Sequence, residues 1–103
     1  MVSLTSKNVT VKYKGKKVVV TLKEISFGEY MDLLRKYYKI EVKGKKTEVS
    51  IDAHGYSEEV TLRAIEKVEP DIMPKTLEAI RSLPRTDGIK LRDIALELNP
   101  FEL

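Results

Sequence analysis

The residues that could take part in acid–base or metal chemistry are few and lie together near the middle of the chain. His54 is the only histidine, and Asp52 lies two residues before it. A metal site would need two further nitrogen or oxygen ligands, and the chain has no cysteine. Glu58 and Glu59 are adjacent, so on a helix they would point about 100° apart, as first-turn acids that complement the helix dipole. The sequence therefore predicts neither a metal site nor a catalytic acid–base pair.

Motifs for nucleotide binding or nucleophilic catalysis are not found in the sequence either. The five glycines are scattered, and neither the phosphate-binding loop nor the dinucleotide-binding fingerprint fits them. No serine is flanked by glycines at the spacing of a nucleophile elbow. We therefore expect a protein that is not an enzyme and that has no cofactor.

Positive charge is concentrated in the first half of the chain. Residues 1–50 contain 12 Lys and Arg against 5 Asp and Glu, whereas residues 51–103 contain 7 against 11. Lysines neutralise phosphates and exposed aromatic rings stack on bases, so nucleic-acid binding is an alternative function. Its candidate contacts are Lys14, Lys16, Lys17, Lys43, Lys45 and Lys46. The nearby Tyr13, Tyr37 and Tyr38 lie on apolar faces, which also fits a role in the core.

The elements that would position these residues begin with two hairpin patterns around one helix. Residues 9–13 and 18–22 alternate between apolar and polar, which predicts two strands joined by the turn at residues 14–17. Ser26 and Glu29 match a capping box, so a helix should begin there. Its expected apolar stripe contains Phe27, Tyr30, Met31, Leu34, Tyr37 and Tyr38. Residues 40–51 then predict a second hairpin, or one strand and an irregular arm.

Helical spacing replaces strand alternation in the second half. Ser57 can cap a helix that has Val60, Ala64, Ile65 and Val68 on one side and that ends at Pro70. A second helix is expected from Pro74 to Pro84, and a third from Thr86 or Asp87 to Asn99.

Together these elements predict one α+β domain over residues 1–103. Its hairpin, helix and strand part would span residues 1–52, with an antiparallel hairpin-based sheet covered by the first helix, and its helical part would span residues 57–99 as a cluster of about three short helices. No apolar run reaches the roughly 20 residues that cross a bilayer, and the first residues lack a secretory signal. We therefore expect a cytoplasmic protein without a membrane partner. The many charged residues and the lack of Gln and Cys favour a thermophilic source.

Two family resemblances follow from this order of elements. The first half resembles a ubiquitin-type β-grasp, although the chain does not end in the Gly-Gly of conjugating members. Residues 22–30, 83–88 and 94–101, which read LKEISFGEY, LPRTDG and IALELNPF, resemble tail assembly chaperones of long-tailed viruses. That resemblance implies a small non-enzymatic protein that coats the apolar tape-measure helix and helps tail-tube subunits to polymerise.

A protein that holds an apolar helix needs a groove between short amphipathic helices. The candidate lining residues are Tyr30, Leu34, Leu91, Ile94, Leu98 and Phe101. The same residues could instead close the protein's own core. The sequence thus favours a binding or assembly-chaperone protein with an apolar helical partner over nucleic-acid binding, and it leaves the oligomeric state open, a homo-oligomer included.

Overall fold

The first hairpin forms as the alternation predicts. A computed structural model describes residues 6–100, and in it β1 (Ser6–Tyr13) pairs with β2 (Lys16–Lys23) in antiparallel register. Lys14 and Gly15 form the two-residue turn, with φ of 50° and 78°. Such positive values are those of the turns that suit the right-handed twist of hairpins. The apolar face of β1 and β2 is buried, whereas the intervening residues face outwards.

The first helix, α1 (Phe27–Tyr37), begins at the predicted capping box. The Glu29 amide donates to Ser26 Oγ over 3.2 Å, and the Ser26 amide donates to Glu29 Oε1 over 3.4 Å. The buried face of α1 differs from the predicted apolar stripe, which does not include Leu33. The buried residue of α1 is Leu33, and Tyr30 and Tyr37 flank it at helical spacing, whereas Phe27 is 77% exposed.

The second hairpin also forms, from β3 (Tyr38–Lys43) and β4 (Lys46–Ile51). Every residue from position 39 to position 50 is exposed, so the hairpin extends from the body of the protein as an arm. The overall dimensions reflect this arm. The radius of gyration is 15.6 Å, above the roughly 13 Å of a compact chain of this length, and the extents are 54 × 37 × 19 Å.

The region after the second hairpin differs from the prediction in two respects. The helix α2 (Ala53–Ala64) starts four residues before Ser57, because Asp52 caps it by accepting from the Gly55 amide over 3.0 Å. The segment that was expected to continue this helix is instead strand β5 (Ile65–Glu69). It pairs antiparallel with β2, so the sheet has the order β1-β2-β5. The open edge of β2 can form backbone hydrogen bonds with this segment. These bonds favour a strand more than the helical spacing of its apolar residues favours a helix.

Two more helices complete the described chain. The short helix α3 (Leu77–Arg81) is capped by Thr76, so Pro74 precedes it rather than opening it. The helix α4 (Arg85–Leu98) starts next to the predicted position and ends at Asn99. None of the helices within residues 6–100 combines the length and the apolar character that crossing a bilayer requires.

The helix that covers the sheet is α4 rather than α1. It lies along β1 and β2, and the Lys12 amide donates to Asp87 Oδ2 over 2.8 Å. Lys7 forms an ion pair with Glu97 near the other end of α4. The helix α1 packs mainly against α2. One core joins both halves of the chain and includes the fully buried Val18, Val20, Leu22, Leu33, Val60 and Leu91. The α+β class, with a hairpin-based sheet and helices, is confirmed.

Candidate binding surfaces

The acidic residues in the middle of the chain lie around an open cleft of about 600 Å³ between the end of α1, α2 and α3. Asp52 is the cap of α2 and His54 is exposed. Glu58 and Glu59 are not first-turn acids, because α2 begins at Ala53 and places them in its middle. Among the residues that the structure describes, no three His, Cys, Asp or Glu side chains are close enough together to hold a metal ion.

Glu59 is the centre of a network that joins α1 to α2. Its Oε1 accepts from Lys36 Nζ and from the Tyr37 hydroxyl, each over 2.6 Å, and its Oε2 accepts from Arg63 Nε over 2.9 Å. Burial alone would raise the pKa of Glu59, but these donors outweigh it and lower the pKa to about 2. The bond to Glu59 raises the pKa of Tyr37, which therefore stays protonated.

The second acid of the pair, Glu58, joins α2 to α3. Arg81 donates to Glu58 Oε2 over 2.5 Å and to Oε1 over 2.7 Å, and this bidentate hydrogen bonding lowers the pKa of Glu58. Gly55 lets the ring of Tyr37 approach, since a Cβ there would lie 2.5 Å from Tyr37 Cε1. The three cations of the cleft are matched by its carboxylates, so its electrostatics fit a structural joint between helices.

Two of the predicted groove residues do come together. Tyr30 and Leu98 line an open cavity of about 360 Å³ between the start of α1 and the end of α4, with Ile25, Phe27 and Pro100 also in its walls. We call this cavity the α1–α4 groove. Its lining also includes the polar residues Glu24, Ser26 and Asn99.

The other predicted groove residues lie elsewhere. Leu91 is fully buried in the core and does not line the groove. Ile94 is partly buried against the same core, and Leu34 is half-buried on α1. Phe101 lies outside the described residues.

The sequence pattern gave no signal for two residues of the α1–α4 groove. Phe27 was assigned to the core stripe, but as the first residue after the cap it faces solvent. The pattern predicts Asn99 only as a helix stop, yet its buried amide joins the end of α4 to residues 23–25. Its Oδ1 accepts from the Ile25 amide over 2.8 Å, and its Nδ2 donates to the carbonyls of Lys23 and Ala95 over 3.1 and 3.0 Å. Asn99 thus fixes the floor of the groove.

The second hairpin presents another apolar surface. Tyr38, Ile40 and Val42 on β3 lie opposite Ile51, Val49 and Thr47 on β4, so these six side chains share one face. Ile40, Val42 and Val49 are 62%, 71% and 52% exposed. We call this face the arm surface. The opposite face of the hairpin is charged. Residues 39–50 are exposed on both faces.

The lysines proposed for nucleic-acid contact lie in the turns of two different sheets. Lys43 is 3.6 Å from Glu41 and 3.9 Å from Glu48, and Lys14 lies 5.4 Å from the centre of the Tyr13 ring. Within residues 6–100, no carboxylate lies at ion-pair distance from the other five, Lys14, Lys16, Lys17, Lys45 and Lys46. Tyr13 is buried and Tyr37 is bound to Glu59, so neither ring is available for stacking on a base.

Comparisons of the chain with protein-family models, with curated proteins and with solved structures find no match.

Proposed function

We propose that this protein is a non-enzymatic binding protein that holds the apolar face of a helical partner in the α1–α4 groove. The observation that carries the proposal is Phe27, which is 77% exposed and lines the groove together with Tyr30 and Leu98. Large aromatic side chains at the centre of a concave surface supply much of the binding energy in protein complexes. Fully covering such a ring contributes about 1.5–3 kcal/mol.

The groove has the chemistry of a helix-binding site. Its lining is mainly apolar, and Glu24, Ser26 and Asn99 add polar groups to it. An amphipathic helix docks in such a groove through apolar residues on one face, while its polar face remains in water. The hydrogen bonds of Asn99 keep the two walls in place before a partner arrives, which reduces the entropy cost of binding.

The resemblance to tail assembly chaperones supports the same surface. Two of its three segments, residues 22–30 and 94–101, include every residue that lines the α1–α4 groove. A long apolar helix of the tape-measure kind is therefore the partner that we propose. The cytoplasmic location and the thermophilic source remain predictions from the sequence.

A titration with a model helix tests the proposal. The probe is a synthetic amphipathic peptide of about 20 residues, which spans roughly 30 Å as a helix, with leucine and alanine on one face and only uncharged polar residues on the other. We expect its addition to shift the NMR amide signals of Phe27, Tyr30 and Leu98, and to leave the signals of the arm surface unchanged. The uncharged polar face prevents simple attraction to the lysines.

Matched variants show whether the ring itself binds. Phe27→Ala should weaken binding of the peptide roughly tenfold or more, and Phe27→Leu should retain most of the affinity. Ile72→Ala removes an exposed apolar side chain outside the groove and should have no effect. Equal affinities for Phe27→Ala and the unchanged protein would contradict the proposal.

Nucleic-acid binding is the second candidate, because five exposed lysines of the two turns have no carboxylate partner among the described residues. A gel-shift assay with mixed DNA and RNA distinguishes nucleic-acid binding from helix binding in the α1–α4 groove. Retention that falls steeply between low and moderate salt, and that Lys16→Glu combined with Lys45→Glu abolishes, would favour nucleic acid. Retention that is absent at low salt would remove this candidate.

A further inference from the structure

The free edge of β3 offers a second binding surface, separate from the α1–α4 groove. We propose that two copies of this chain pair along β3, antiparallel and two-fold symmetric about Ile40, so that two hairpins become one four-stranded sheet. The backbone, the charges and the apolar residues of the arm each support this arrangement.

The backbone of β3 has hydrogen-bonding groups directed away from β4. Because a two-residue turn joins the strands, Lys43 and Lys46 form a hydrogen-bonded pair, and such pairs alternate along the ladder. Lys39 and Glu41 therefore bond to β4, whereas Ile40 and Val42 direct their N–H and C=O groups to the open side. Within residues 6–100, no other strand pairs with β3 on that side.

Antiparallel pairing about Ile40 would give partners to the N–H and C=O groups of Ile40 and to the N–H of Val42. Each Ile40 N–H would donate to the Ile40 carbonyl of the second copy, and each Val42 N–H would donate to the Tyr38 carbonyl. The Tyr38 N–H already donates to the Leu34 carbonyl at the end of α1, so the Val42 carbonyl would remain open to water.

Charge selects this register. Pairing about Ile40 places Lys39 opposite Glu41 of the second copy, twice by symmetry. If Ile40 instead faced Val42 of the second copy, Glu41 would face Glu41 and Lys39 would face Lys43, which like-charge repulsion disfavours.

A single hairpin also leaves a charge conflict that the second copy would relieve. Glu41 lies directly opposite Glu48, and the cation nearest to this pair is Lys43, at 3.6 and 3.9 Å. Like charges at directly opposed positions destabilise a strand pair. Lys39 of the second copy would bring a further cation next to Glu41.

The same pairing would bring the apolar side chains of the two arms into contact. An isolated two-stranded hairpin is at best marginally stable in water, whereas three or more strands with an apolar face are stable. The proposed register keeps Ile40, Val42 and Tyr38 of both copies on one face, where they contact their counterparts across the new strand pair. The interface is small, so we expect a dissociation constant in the micromolar range.

Cross-linking provides the test, because the chain has no cysteine of its own. The two Ile40 Cα atoms would lie about 5.5 Å apart, within the range of a disulfide. Ile40→Cys should therefore form covalent dimers under mild oxidation. Val49→Cys is the matched control, since Val49 lies opposite Ile40 and is similarly exposed, but in the dimer the two β4 strands would be roughly 14 Å apart. Cross-linking of Val49→Cys as fast as Ile40→Cys, or of neither variant, would overturn the proposal.

Charge variants test the register by analytical ultracentrifugation. Glu41→Lys should weaken dimerisation roughly tenfold, because both ion pairs become repulsive. Glu48→Lys makes the same change in charge on β4, removes the same Glu–Glu contact and should leave a dimer. The double variant Lys39→Glu with Glu41→Lys restores opposite charges and should recover dimerisation. Equal behaviour of the two single variants, or no recovery in the double variant, would overturn the register.

Discussion

The β1–β2 and β3–β4 hairpins share the turn sequence Lys-Gly-Lys-Lys, but they occupy opposite environments. The first hairpin buries its apolar face under α4 and extends its sheet through β5. The second exposes Ile40, Val42 and Val49 and has no third strand within residues 6–100. Hairpin formation and core formation are therefore separate properties of these sequences, and only the first hairpin has both.

The turns themselves also differ. The loop of the first hairpin is Lys14-Gly15, with positive φ at both positions, whereas the loop of the second is Gly44-Lys45, with positive φ at Gly44. Glycine occupies the second loop position in the first hairpin and the first loop position in the second hairpin. The sequence Lys-Gly-Lys-Lys thus forms its two-residue loop at different positions in the two hairpins, and the flanking strands determine which position is used.

The largest expected effect comes from truncating a large aliphatic side chain in each of the two hairpins. Leu22→Ala should lower the free energy of unfolding by about 3–5 kcal/mol, because Leu22 is fully buried and its loss leaves a cavity. Ile40→Ala should change it by less than about 0.5 kcal/mol. Urea unfolding in dilute solution measures both values. A loss above about 2 kcal/mol for Ile40→Ala would mean that the second hairpin belongs to the cooperative fold.

A smaller effect is expected at the joint from which the second hairpin extends. Glu59 is 14% exposed, and its pKa falls from an ordinary value of 4.5 to about 2. Because the folded pKa is lowered, its stabilisation is fully present above about pH 4.5 and is lost as the pH falls towards 2. Glu59→Gln should therefore cost about 3 kcal/mol at neutral pH and little near pH 2.

Unfolding curves over this pH range measure that difference. Asp32→Asn changes an exposed carboxylate of α1 and serves as the control. If the difference between Glu59→Gln and the unchanged protein were the same at pH 7 and at pH 2, the network would not have the proposed electrostatic role.

The elements that sequence patterns predicted are those whose signals are local. Both hairpins, the capping box of Ser26 and the end of the last helix depend on neighbouring residues, and all are present. The strand β5 was missed because Ile65 and Val68 also fit helical spacing, and only the distant edge of β2 decides between the two states.

The candidate groove illustrates the same limit. Tyr30 and Leu98 come together as expected, but Leu91 turns into the core, because α4 lies along the sheet. The role of the buried Asn99 amide depends on contacts between segments more than 70 residues apart, which periodicity within one helix does not report.

The smallest expected effect compares the two turn glycines. Gly15→Ala should cost about 1–2 kcal/mol of global stability, since φ at Gly15 is +78° and L-residues are strained there. Gly44→Ala introduces similar strain at φ of +62°, but in a hairpin outside the core. Thermal unfolding should show a lower midpoint for Gly15→Ala and an unchanged midpoint for Gly44→Ala. Equal shifts would remove the distinction between the hairpins.

Residue-resolved amide hydrogen exchange of the two hairpins tests the central claim most directly. The claim is that the first hairpin stabilises the fold and the second is free to associate. We predict that β2 amides exchange only through global unfolding at every protein concentration. The Ile40 and Val42 amides should exchange rapidly in dilute solution and slow as the concentration rises. Slow exchange of Ile40 and Val42 in dilute solution, at the rate of β2 and independent of concentration, would contradict the account.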